Sequence, residues 1–240
     1  MFYKIICLSA GLLISGSAMA ADAPDGQWHG NANLSFSTSS GNTNSSTFFA
    51  AVDEVRITAA DKWSTYASSL YGSSNGVKNN DKTRVSARYD YNLLPELFGF
   101  GLGELERDSL ANLQLRTSLG GGLGYHLIQT DATTFDAFSG LSYSKANMII
   151  GPDTSGVELL LGEELTHKFT NTVRAKQKWL LFPSLQNSPH YRSIFDAGLV
   201  VDISSTIGLS VGLQNKYSSD VPSGVKNSDT FLLTGLNFKL

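Results

Sequence analysis

The chain has 240 residues, with 18 Lys and Arg against 21 Asp and Glu, and one cysteine. A formal charge of −3 without a basic tract excludes the electrostatic footprint that nucleic acid requires. Past residue 20 no run approaches the ~18 apolar residues of a membrane-spanning helix, which excludes a helical membrane protein.

The first segment, "MFYKIICLSAGLLISGSAMA", reads as a Sec-type signal peptide over residues 1–20. Lys4 supplies the positive start, an apolar stretch follows from Ile5 to Ile14, and Ala18 to Ala20 form a small-x-small cleavage site. The apolar stretch is too short to cross a ~30 Å hydrocarbon layer as a helix. Cys7 lies at its start rather than its end, so a lipoprotein signal does not fit. Cleavage near Ala20 removes Cys7 and Lys4, leaving 17 basic and 21 acidic side chains and no thiol chemistry.

Residues 21–240 read as one domain of alternating strands, with period two as the signal. Twelve strands are predicted, at 28–39, 45–58, 63–72, 83–92, 97–106, 113–128, 134–144, 156–168, 172–181, 191–201, 207–217 and 229–240. The first break, "SSGNTNSS", is expected to be a turn without an active site. Gly41 can take φ > 0, and Asn42 and Asn44 can hydrogen-bond their own backbone there. In the second strand, "STFFAAVDEVRITAA", neither face is free of charge. In "RVSARYDYNL", Val85, Ala87, Tyr89 and Tyr91 oppose Arg84, Ser86, Arg88 and Asp90. The sixth strand puts Leu113, Leu115, Leu119, Leu123, Tyr125 and Leu127 on one face, with Arg116 and His126 on the other. The eighth places Glu163 on its more apolar face, and the eleventh sets Ile207, Leu209, Val211 and Leu213 against Ser210 and Gln214. Brief connections such as "AADK" and "LLPE" take turns with longer polar ones such as "SSNGVKNND" and "KANMIIGPDTS". One end of the sheet therefore carries tight turns and the other extended loops.

A soluble sandwich or lipocalin-like barrel would put the apolar face inside, whereas an outer-membrane barrel puts it in lipid. Strands of ten or more residues and an even count favour the membrane barrel. So do aromatics near strand ends: Trp28, Trp63, Tyr91, Phe98 and Phe238 toward the short turns, and Tyr71, Tyr143, Trp179 and Tyr217 toward the long loops. The expected fold is all-β, a transmembrane antiparallel β-barrel of about twelve strands with short periplasmic turns and longer extracellular loops.

On that reading the polar face is a lumen. It carries Arg84, Arg88, Asp90, Arg116, Asp136, Glu158, Glu164, Arg174, Lys176, Lys178 and Asp196. These side chains either pair across the lumen and close it, or line a narrow channel whose basic excess favours anions. "ELERDSL" gathers Glu104, Glu106, Arg107 and Asp108 at the entry to the third long loop. That cluster would suit a divalent cation or a lipopolysaccharide phosphate bridged by one; alternatively Arg107 pairs with a neighbouring carboxylate and fixes the loop. His126 faces inward near the short-turn end, which does not match the outward Ser/His pair of an outer-membrane lipid hydrolase. No catalytic set, cofactor or metal site is expected, because no HExxH, EF-hand or phosphate-loop pattern occurs.

Three stretches carry a family resemblance: "GNANLSFSTSSGNTNSSTF", "RVSARYDYNLLPELFGFGLGELERDSL" and "LQLRTSLGGGLGYHLIQTDATTF". "SGNT", then "ERD" followed by "LRT…GGGLGY", resembles the DUF481 family of outer-membrane proteins, a group that includes salt-induced members in enteric bacteria. The resemblance implies a Gram-negative outer-membrane location and a barrel fold, and it leaves the activity undefined. "GLNFKL" at the C-terminus places Gly235, Phe238 and Leu240 in a spacing similar to the signal read by the outer-membrane assembly machinery. The expected partners are that machinery, outer-membrane lipid and lipopolysaccharide, and a small solute or ion. The functional expectation is a non-enzymatic, porin-like barrel, either a narrow charged pore or a closed structural barrel of the envelope.

Overall fold

A computed structural model of the chain describes residues 24–40, 44–186, 189–221 and 227–240. The N-terminal residues on which the expected signal segment falls, and Gly41, Asn42 and Thr43 of the first loop, lie outside the described residues. Twelve strands follow one another: β1 (Trp28–Ser39), β2 (Ser45–Ile57), β3 (Asp61–Ser74), β4 (Val77–Asn92), β5 (Leu97–Asp108) and β6 (Leu113–Gln129), then β7 (Thr133–Met148), β8 (Thr154–Lys168), β9 (Val173–Pro183), β10 (Tyr191–Asp202), β11 (Ile207–Ser218) and β12 (Ser228–Lys239). Each pairs antiparallel with its sequence neighbours, and β1 pairs with β12, so the sheet closes into a barrel. Among the described residues no helix is long and apolar enough to cross a membrane.

Alternation decides which side chains point out. Leu34, Val85, Leu119, Leu123, Leu141, Leu209 and Leu236 stand exposed on the outer wall. Trp28, Trp63 and Tyr91 sit outward near the short turns, and Tyr71, Tyr143 and Trp179 near the loops. The second strand resolves with Phe49, Ala51, Asp53 and Val55 buried inside and Phe48, Val52 and Glu54 exposed outside. Glu163 does face outward, where it accepts a hydrogen bond from Gln177 Nε2 at 3.1 Å.

Three expectations need correction. Phe98 is not a girdle residue; it is 1% exposed and packs inside the barrel. Leu113 does not share the outer face of Leu115. A register shift between them flips Leu113 inward, where it is 3% exposed. The third break is much tighter than "SSNGVKNND" suggested, because β3 and β4 run on to a two-residue turn at Asn75 and Gly76. Their φ values of 49° and 77° are the left-handed pair that a type I′ hairpin demands, and Asn-Gly supplies it at least cost. The hairpin tip then docks on the first loop, with Asn75 N–H donating to Asn44 O at 2.7 Å.

The interior contains an apolar band. Phe98, Gly124, Phe138, Gly162, Leu180 and Ile194 are successive register partners across β5 to β10. Next to them run Phe100, Gly122, Gly140 and Leu160. The glycines make this possible. A Cβ on Gly124 would collide with the Phe98 ring, and one on Gly162 with the Phe138 ring and Leu180. Rings from one strand lie over bare backbone of the next, and Phe100 meets Phe138 edge-on at 5.2 Å. Each large side chain buried this way contributes about 1.5–3 kcal/mol relative to exposure to water.

Candidate functional site in the barrel interior

Charged side chains flank the apolar band on inward positions. One row of register partners reads His126, Asp136, Glu164, Lys178, Asp196 and Gln214, each on the strand after the last. His126 Nδ1 lies 2.7 Å from Asp136 Oδ1, and its Nε2 is 3.4 Å from Asn92 Oδ1. Lys178 Nζ meets Glu164 at 2.8 Å, and Gln214 Nε2 donates to Asp196 at 2.6 Å. Arg88 joins the row from β4, donating to Asp90 at 2.7 Å and to Glu164 at 3.2 Å. Its guanidinium also stands 4.2 Å from the Phe138 ring centroid and 4.8 Å from that of Phe100. Arg88 therefore couples the ionic row to the apolar band through charge–aromatic contacts.

A second centre lies nearer the loop end. Arg84 Nε donates to Glu104 at 2.9 Å, and Glu106 receives Arg116 at 3.0 Å and Lys216 at 2.8 Å. Arg192 holds Glu158 with two hydrogen bonds, 3.0 and 2.7 Å, in the fork geometry that suits a carboxylate. At the turn end Asp202 receives Lys239 at 2.8 Å and Arg174 at 3.4 Å. Ions taken this far from bulk water carry a desolvation cost that only partners offset, which is the physical reason for such dense pairing.

Glu104, Glu106 and Asp108 do not form a loop cluster. Strand β5 continues through Asp108, and alternation from Phe98 and Phe100 carries all three acids inward. Asp108 meets Lys82 at 2.9 Å, while Arg107 points out, 58% exposed, 3.9 Å from Asp81. Sequence reading did not place Asp53, Lys62, Lys82, Arg192, Asp202, Lys216 or Lys239 in the interior. The signal that finds most of them is parity within each strand, once the strand ends are extended by two or three residues. At the C-terminus Gly235 and Phe238 are half-buried, and Leu240 N–H donates to Gly30 O at 2.9 Å beside the barrel closure. Among the described residues no three His, Cys, Asp or Glu side chains converge as a metal site.

Between the centres lies a chamber of about 110 Å³. Six basic side chains line it (Lys62, Arg84, Arg88, Lys176, Lys178, Arg192), against three acidic ones (Glu104, Glu164, Asp196). Two of these cations, Arg88 and Arg192, also meet Asp90 and Glu158 beyond the lining, which leaves a smaller positive excess in a confined space, where fields are screened less than at an open surface.

Comparison with known proteins agrees with this architecture. A family profile described as a protein of unknown function, DUF481, matches residues 32–240. No curated protein matches the sequence. Among solved structures the NanC porin aligns with a TM-score of 0.50 at 11% identity, covering 88% of this chain and 96% of that one. The translocator domain of the autotransporter NalP from Neisseria meningitidis aligns with a TM-score of 0.50 and 11% identity, over 88% and 86%. The KdgM porin follows at a TM-score of 0.45 and 13% identity, over 88% and 98%. At these identities the likeness concerns the fold, that of the outer-membrane porin and autotransporter barrels.

Proposed function

The chain belongs to the DUF481 family, and from its closed outer-membrane-type barrel we propose that it is a narrow passage for small anions. The observation that carries this reading is the cation excess lining the interior chamber, six basic side chains against three acidic ones. A passage of this kind selects by sign of charge as well as size, because a solute inside must exchange hydration for the lining groups. Lys178, Arg116 and Arg192 keep part of their side chains exposed to the lumen and are the groups a solute would meet. The reading is non-enzymatic. His126 Nδ1 lies 2.7 Å from Asp136 Oδ1 inside the barrel and its ring packs on Phe98, away from the outer wall where an outer-membrane lipid hydrolase would act. On this account the signal segment is removed near Ala20 and Gly235, Phe238 and Leu240 address the barrel to the assembly machinery. The aromatic-flanked outer wall meets lipid and lipopolysaccharide.

A closed structural barrel of the envelope is the second reading. The apolar band favours it, since Phe100, Phe138, Leu160, Leu180 and Phe182 fill interior space that a wide bore would leave to water. Purified full-length protein in planar bilayers separates the two. Discrete current steps that Lys178→Gln makes less anion-preferring support the passage, and silent membranes with folded protein support the closed barrel. Lipid hydrolysis abolished by His126→Ala would overturn both.

A further inference from the structure

We infer that the chamber is a saturable binding site for one small oxyanion of the phosphate, sulfate or carboxylate class. The inference deepens the passage reading and rests on it for access to the site. Its first support is Lys62. This side chain lines the chamber, and among the described residues its ammonium has no hydrogen-bond or ion-pair partner. The second is Ser142, which also lines the chamber and is 3% exposed, with a buried hydroxyl oxygen that lacks a partner. A buried polar atom left unmade costs about 1–3 kcal/mol, and a ligand that supplies its bond removes that cost.

The rest of the lining favours an acceptor-rich anion. Its carboxylates are already engaged: Glu104 by Arg84, Glu164 by Arg88 and Lys178, and Asp196 by Gln214. They neutralise Arg84, Arg88 and Lys178 and present no free carboxylate to repel an anion beside Lys62. Hydroxyls of Ser64, Ser118 and Thr166 stand in the same wall. Ammonium, guanidinium and hydroxyl groups are directional donors, which match oxygen acceptors better than a spherical halide. Size sets the upper limit. A water needs ~10–15 Å³ of such free volume, so a chamber of about 110 Å³ takes one four-oxygen anion with a few waters and no polymer.

The experiment is calorimetric titration of the detergent-solubilised full-length barrel with inorganic phosphate at constant ionic strength. It is repeated on Lys62→Gln and Ser142→Ala, with heat-modifiable gel mobility as the check of folding. Saturable binding is expected, weakened about tenfold by Lys62→Gln and about threefold by Ser142→Ala. No saturable heat with folded protein, or equal affinity in all three proteins, overturns the site. Chloride currents recorded with and without phosphate separate this site from the passage. Silent bilayers with Lys62-dependent binding retire the passage and keep the site. Current steps without phosphate binding retire the site and keep the passage.

Discussion

Between β5 and β10 the barrel wall is locked from inside by rings lying over glycines, whereas the seam between β1 and β12 is closed by few bonds and a line of amides. The β6–β7 pair has fifteen partners, from Leu113↔Met148 to Gln129↔Thr134, with a register shift near each end. The β1–β12 pair has four, from Asn31↔Lys239 to Leu34↔Leu236, extended by the Gly30–Leu240 backbone bonds. Inside the seam Asn237 donates to Asn33 at 3.3 Å and Asn31 to Asp53 at 3.1 Å, and Lys239 at its turn end meets Asp202 at 2.8 Å. Above Leu34, β1 keeps its ladder to β2, with Ser35 Oγ reaching Thr234 O at 3.4 Å. Closing a sheet removes its edges, and in a membrane an unpaired backbone group costs several kcal/mol. The interior band therefore holds the wall, and the seam is where local opening should require least free energy.

The largest expected effect lies in the band. Phe138→Ala removes a ring that contacts Gly162, Phe100 and Arg88, and should cost about 3–5 kcal/mol in reversible unfolding from lipid vesicles. Gly162→Val drives a side chain into that ring and should cost about 1–3 kcal/mol. The double variant should cost less than the sum, because the cavity accepts the new side chain; strict additivity would show that ring and glycine are not interlocked.

Arg88→Met comes next. It leaves Asp90 without its cation while Glu164 keeps Lys178, so a loss of about 3 kcal/mol is expected, and less where water enters. A neutral outcome would mean that the charge–aromatic contacts add nothing beyond volume.

The smallest effect concerns the seam, and it is read as a rate. Amide exchange at Ser35–Thr38 and Thr230–Thr234 should precede exchange across β6–β7. The paired substitutions Asn33→Cys and Asn237→Cys face each other in register, and their disulfide should slow that exchange selectively. The sequence has one other cysteine, Cys7, so a Cys7→Ser background keeps the cross-link unambiguous. Uniform exchange around the barrel would contradict a weak seam.

Much of this architecture was legible beforehand, and particular residues show where legibility stopped. Period-two alternation placed Arg84, Arg88, Arg116, Glu158 and Lys178 on one side of their strands. Tyr91, Leu209 and Trp179 fell on the other. Alternation gives parity alone. It does not reveal the register shift that turns Leu113 inward. Nor does it say that an inward face carries Phe98 and Phe138, since a strand apolar on both sides looks the same whichever side meets lipid. A strand end such as Lys78 to Lys82, without apolar residues, has no alternating signal and reads as loop in the sequence. Lys62 was missed for the same reason, one residue outside a strand predicted to start at Trp63. The chamber depends on which side chains of eight strands meet, and pairwise spacing in sequence does not encode that.

The most direct test of an anion passage is the reversal potential of the wild-type barrel in a planar bilayer under a potassium chloride gradient. The account predicts small discrete conductance steps and a reversal potential on the chloride side of zero. A reversal potential on the potassium side would contradict it, as would the absence of current after repeated insertion of protein verified as folded.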